Sequence, residues 1–165
     1  RLFYRLYILD FSKAFDRVKH ALLLHKLPAL NIDPGVLEWI ESFLLPRSQF
    51  VVANDFTSNL APVESAVPQA SVLGPLLFLI CIIDIPDNIS SKICLFADDC
   101  VIYCKITDAS DVATLQSDLN NIYKWWLTWC IELNINQCKS MRISRCNTIC
   151  SAFALNTCPL QSVST

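Results

Sequence analysis

Apolar positions in this chain fall into short blocks divided by polar turns, and the spacing within the blocks changes along the sequence. Leu2 to Leu9 is apolar and aromatic and predicts a buried strand ending at Asp10. Ala21 to Leu30 carries Leu22, Leu23, Leu24, Leu27 and Leu30, which predicts a helix. Asn31-Ile32-Asp33-Pro34 breaks it, and Asp33 can cap a new helix with Pro34 in its first position. That helix runs to about Leu45 and sets Val36, Leu37, Ile40, Phe43 and Leu44 on one side. Gln49 to Ala53 and Leu60 to Ala66 predict two short strands joined by the polar turn Asn54 to Asn59. Pro68-Gln69-Ala70-Ser71 is a loop leading into the apolar run Val72 to Ile83, and Pro86 to Ser91 is a turn.

Ile93 to Phe96 and Cys100 to Lys105 read as a hairpin around Ala97-Asp98-Asp99. Asp108 to Trp129 is a long helix capped by Asp108 or Ser110, with Leu115, Leu119, Ile122 and Trp126 at helical spacing. Lys139 to Ser144 is a last strand, after which the chain turns polar and patternless. The expected organisation is one domain over residues 1–145 and a disordered or irregular tail over 146–165. The order strand, helices, strands, helix, hairpin, helix, strand points to an α+β fold, an antiparallel or mixed sheet with helices on one face.

Composition sharpens this. Hydrophobic residues make up 53% and charged residues 17%, with a mean hydropathy of +0.41; soluble chains average about 45–50% and about 25%. Either the chain is a core stripped of its solvated surroundings or it belongs in a membrane. The Val72 to Ile83 run contains Gly74 and Pro75 and stops at Asp84, short of the roughly 20 apolar residues a span needs. It reads as a buried helix. There is no signal-peptide or anchor pattern, and the absent initiator Met reads as a truncated start. A net charge of −2 counts against a stand-alone, tight nucleic-acid binder, which usually carries a basic face. Nine Cys, Cys81 and Cys94 in apolar runs among them, read as reduced thiols of an intracellular protein. The Cys100/Cys104 and Cys146/Cys150 spacings lack the partner ligands of a zinc site.

Two acidic features remain. Asp10 ends an apolar strand, and Asp98 and Asp99 lie at a hairpin tip. Crowded carboxylates repel unless a cation compensates them, so three strand-end acids meeting at one sheet edge would make a magnesium site. Asp is also an ordinary turn residue, and on the carboxylates alone a solvated hairpin tip is the better account of Asp98 and Asp99.

The surrounding words carry more. In order come Leu9-Asp10-Phe11-Ser12-Lys13-Ala14-Phe15-Asp16, then Trp39-Ile40 with Ser42-Phe43-Leu44, Arg47 and Gln49, then Val67-Pro68-Gln69-Ala70-Ser71-Val72-Leu73-Gly74-Pro75-Leu76-Leu77-Phe78. Phe96-Ala97-Asp98-Asp99 and Leu133-Asn134 through Cys138-Lys139 and Met141 follow. This series, over roughly residues 5 to 145, resembles the reverse transcriptase domain of non-long-terminal-repeat, jockey-like (LINE-type) retrotransposons.

The resemblance implies a palm subdomain of an RNA-directed DNA polymerase that adds deoxynucleotides to a primer 3′-hydroxyl on an RNA template with a pair of Mg2+ or Mn2+ ions. Asp10 and Asp98 would be metal ligands, with Asp99 the adjacent acid of the hairpin and the Phe11 carbonyl completing the shell. Phe15 would exclude a 2′-hydroxyl; its other reading is core packing. Gln69 and Ala70 would lie near the nascent base pair, and Lys139 near the substrate. Asp16 would cap the next helix, and Arg47 either touches a phosphate or is a solvated charge.

The chain departs from the family at Ala66 and Ala70, where Gly is usual, and at Gln137, where Lys is usual. Gly allows positive φ and close backbone approach; Ala70 at positive φ would be strained by roughly 1 kcal/mol or more. Gln137 cannot act as a cationic proton donor to pyrophosphate. Nine residues precede Asp10, so fingers and thumb, like the endonuclease segments of a parent polyprotein, are expected to be missing. The expected location is nucleus or cytoplasm, with no secretion and no membrane partner. Three functions stay open: an active polymerase domain, an inactive remnant, and a repurposed nucleic-acid or protein-interaction module.

Overall fold

A computed structural model describes residues 3–45 and 47–144, together with the backbone of three short strands between residues 154 and 163. The chain divides into two compact units, Arg1–Ala14 with Ile83–Thr165, and Phe15–Ile82.

The first unit is built on a mixed sheet. Its strands are β1 (Phe3–Asp10), β6 (Lys92–Phe96), β7 (Asp99–Ile106), β8 (Lys139–Ile143) and β11 (Gln161–Val163), in the order β11-β8-β1-β7-β6. β1 runs antiparallel to both β7 and β8, so the apolar strand expected first along the chain is central to the sheet. Alternation sorts its side chains: Arg5, Tyr7 and Leu9 are buried, while Tyr4, Leu6, Ile8 and Asp10 occupy the less covered face. Cys100, Ile102 and Ile106 of β7 are also buried.

Helix α5 (Ala109–Trp129) buries Leu115, Leu119, Ile122 and Trp126, the residues its spacing marked. Asp108 caps it, accepting from the backbone N–H of Ser110 and Asp111, and Asp111 returns a bond to the Asp108 backbone, a reciprocal capping box. Asp118 is buried in mid-helix because it has work for both oxygens. They accept from the backbone N–H of Ser90 and Ser91 at 3.0 and 2.8 Å, fixing the turn before β6.

The residues read as a patternless tail include β9 (Ala154–Leu155) and β10 (Cys158–Pro159), paired antiparallel, and β11, parallel to β8. Strands of two or three residues are too short to show a period, and the rest of residues 145–165 lies outside the described residues. Cys146 and Cys150 lie outside the described residues.

The second unit is mostly helical: α1 (Ala14–Arg17), α2 (His20–Lys26), α3 (Pro34–Leu44) and α4 (Leu73–Ile82). The helix expected from 21 to 30 is shorter, ending in a 3-10 turn at Leu27–Leu30 where Pro28 removes an amide donor. Asp33 caps α3 by accepting from Gly35 N–H at 2.8 Å, with Pro34 in the first turn as expected. Between α3 and α4 the strands are shorter than anticipated: β2 (Ser48–Gln49) pairs with β5 (Ala61–Pro62), and β3 (Val52–Ala53) with β4 (Phe56–Thr57). Asn54 and Asp55, both at positive φ, form the two-residue turn that closes the inner hairpin.

The Val72 to Ile83 run is helical over Leu73–Ile82 but not buried all round. Leu77, Phe78, Cys81 and Ile82 are covered, whereas Leu76 and Leu79 are about half exposed. Among the described residues no helix is long and apolar enough to cross a membrane. Gly74 is required where it stands: a Cβ there would meet the Pro68 carbonyl oxygen at 2.3 Å. Ser71 links the same residues, donating to Pro68 O at 2.6 Å and accepting from Gly74 N–H at 2.9 Å.

Candidate active site

Three acids gather in the sheet unit. Asp10 closes β1 and stands directly opposite Asp99, the first residue of β7. Asp98 occupies the two-residue turn, Ala97-Asp98, between Phe96 and Asp99. Ala97 has a φ of 50°, the left-handed conformation that lets so tight a turn close. Burial raises the Asp10 pKa, the Asp98 and Asp99 charges raise it further, and a hydrogen bond from the Asn134 side chain opposes them. The site therefore concentrates negative charge at one end of β1.

Among the described residues no three His, Cys, Asp or Glu side chains form a ready-made cage for an ion. The donors present fit a different arrangement, a hard cation held by one or two carboxylates and completed by substrate phosphate, as Mg2+ commonly is. Lys139 is exposed and pairs with Ile8, two residues before Asp10, which puts it on the same sheet face as Asp10 and Asp99. The Phe11 side chain is buried, with its ring centroid 6.4 Å from that of Trp125, and Trp125 donates to Asp84 at 2.8 Å.

In the helical unit, Phe15, Gln69, Ala70 and Pro75 line one cavity of about 260 Å³. Three of the four are residues expected to touch substrate. Phe15 is half-buried and stacks on Phe78, centroids 4.6 Å apart, so packing and cavity lining coexist in one ring. Gln69 donates to Asp16 at 3.1 Å. Asp16 lies inside α1, and the N-cap of α2 is Lys19, so the expected capping role of Asp16 is replaced by holding Gln69.

Ala66 and Ala70 both adopt positive φ, 83° and 59°. Ala66 is pinned by its own N–H to Val18 O at 3.0 Å and by the buried His20 ring to its carbonyl at 2.7 Å. Arg47 is exposed and lines a separate cavity of about 450 Å³ with Lys19, His20 and Glu64.

Sequence reasoning passed over Asn134 as a contact of Asp10, and Asp16 as the partner of Gln69. Neither carries a signal of its own, since each depends on a partner more than fifty positions away.

The family described as reverse transcriptase (RNA-dependent DNA polymerase) matches residues 5–153. An RNA-directed DNA polymerase from the mobile element jockey of Drosophila funebris is 31% identical over 159 residues, covering 90% of this chain and 17% of that protein. The jockey polymerase of Drosophila melanogaster is 30% identical, again over 90% of this chain and 17% of its own length. A solved telomerase from Candida albicans, in complex with a fragment of telomeric RNA, shares the fold with a TM-score of 0.58 at 12% identity, over 88% of this chain and 27% of its own.

A reverse transcriptase-like fold with three acids at one strand end thus defines a class of polymerase domains. The chain belongs to the reverse transcriptase (RNA-dependent DNA polymerase) family, and its relatives are polymerases of jockey and other non-LTR retrotransposons. It spans about one sixth of the length of these relatives (17%).

Proposed function

We propose that this chain is the palm of an RNA-directed DNA polymerase, extending a DNA primer on an RNA template with deoxynucleoside triphosphates. The observation that carries the reading is the pairing of Asp10 with Asp99, with Asp98 in the adjoining turn. Asp10 and Asp98 would hold divalent metal, Mg2+ or Mn2+, with Asp99 beside them. Bound metal would supply the positive charge that favours the attacking 3′-hydroxylate and the departing pyrophosphate. The carboxylates would hold those cations, and Lys139 adds a cationic side chain on the same sheet face. Phe15 would act as the steric gate against a 2′-hydroxyl, with Gln69 and Ala70 contacting the nascent pair.

A second reading, an inactive remnant, is favoured by one observation. Ala66 and Ala70 hold left-handed backbone that the family usually assigns to Gly. The two readings separate in primer extension on an RNA template with Mg2+ and deoxynucleotides, the parent compared with an Asp98→Ala, Asp99→Ala double variant. Extension by the parent alone supports the polymerase. No extension by either, with Ala66→Gly, Ala70→Gly also silent, supports the remnant.

A further inference from the structure

Asp10 is held from the segment after α5 by a set of contacts independent of its strand partners. Ser12 N–H donates to Glu132 O at 2.7 Å, and Asn134 N–H donates to Asp10 O at 2.8 Å, with Phe11 and Leu133 forming the bridge between them. The Asn134 carbonyl accepts from the N–H groups of Gln137 and Cys138 at 2.8 and 3.0 Å, which closes a tight turn. The backbone of Asn134 is therefore committed on both sides.

Its side chain is committed too. The Asn134 amide donates to the Gln137 side-chain oxygen, and beside the backbone bond to Asp10 it reaches the Asp10 carboxyl closely enough to oppose the rise in its pKa. An amide NH2 has two donors, enough for both partners. Gln137 supplies an acceptor oxygen, and that contact can fix the rotamer of Asn134.

We propose that Asn134 is the positioning residue for Asp10, and that Gln137 holds the Asn134 amide in the orientation that donates to the carboxylate. The inference rests on reading Asp10 as a metal-binding acid. Outer hydrogen bonds to ligating carboxylates set their orientation, and losing one typically costs about 10–100-fold in metal affinity.

The test titrates Mn2+ into the full 165-residue chain and follows paramagnetic broadening of backbone amide signals near Asp10 and Asp99. Asn134→Ala is expected to weaken Mn2+ by about 10–100-fold, and Gln137→Met by less, with metal-free thermal unfolding little changed in both. Equal affinity in parent and Asn134→Ala overturns the positioning role while leaving the metal site standing. No broadening in the parent, either alone or with a deoxynucleoside triphosphate present to supply phosphate oxygens, overturns the metal reading and this inference with it. Should Asn134→Ala fail to fold, the parent decides: its Asn134 side-chain amide signals must shift with Mg2+ at the midpoint of the Asp10 carboxyl carbon. An amide that stays still while that carbon moves overturns the proposal.

Discussion

Asp10 and Asp99 are cross-strand neighbours in the antiparallel β1–β7 ladder, two carboxylates directly opposite on one face of the sheet. Like charges in that relationship destabilise a sheet. The fold tolerates them at the end of the ladder, where water reaches one side.

The first prediction follows from that repulsion. The pKa of Asp10 is raised by burial and by the Asp98 and Asp99 charges, so its ionised form is favoured less in the folded than in the unfolded chain. The sign is fixed: its contribution is fully present below the unfolded value of about 3.9 and is lost as pH rises through the folded value. Asp10→Asn removes this loss. At pH 7 the variant is expected to be more stable than the parent by less than about 1 kcal/mol, because the carboxylate is partly screened by water. Thermal unfolding of both proteins from pH 3 to pH 8 checks it; the curves converge at the acid end.

Relief of backbone strain gives the second. Left-handed φ costs an L-residue roughly 1–2 kcal/mol, and glycine returns part of that gain as extra freedom in the unfolded chain. Ala66→Gly and Ala70→Gly are each expected to stabilise by about 0.5–1 kcal/mol. Urea denaturation midpoints should rise in both variants, and a fall in either would mean that the native backbone there is not left-handed.

Asp118 supplies the third. It is buried and accepts two backbone N–H groups at Ser90 and Ser91. Asp118→Ala leaves both donors without acceptors at a cost of about 2–4 kcal/mol. Asp118→Asn, which keeps one acceptor oxygen, should lose clearly less. Chemical denaturation of the pair against the parent measures the difference.

Thiol chemistry provides the fourth. Cys94 and Cys130 are exposed, whereas Cys81, Cys100 and Cys138 are buried. Burial pushes the Cys100 thiol up to about 12, with smaller contributions from Cys138 and Cys94. Brief alkylation of the native chain at pH 8, mapped by mass spectrometry, should modify Cys94 and Cys130 before Cys81, Cys100 and Cys138, and leave Cys100 unmodified until the protein is unfolded.

Much of this architecture is legible in the residues because local chemistry enforces it. Asp33-Pro34 announces the start of α3, Asp108 announces α5, and the apolar run before Asp10 is a central strand. Other features are set by partners distant in sequence. Asp16 accepts from Gln69 rather than capping α2, and the short strands of β2 to β5 and β9 to β11 lack the length to display a period. The departures at Ala66 and Ala70 stood out only against the family's glycines, and their strain follows from the observed φ. In the candidate site the acids could be named from the sequence. The amide that steadies one of them could not, since a lone Asn after a helix is an ordinary turn residue.

Ala97 has a consequence for precision. A glycine would take the positive φ of the hairpin tip without strain, yet it would also open a wide basin of neighbouring conformations. Alanine confines that tip to a narrow well, so Asp98 rides on a stiff mount rather than a slack one. The turn trades comfort for stiffness: the backbone that carries Asp98 wanders less than a glycine tip would allow.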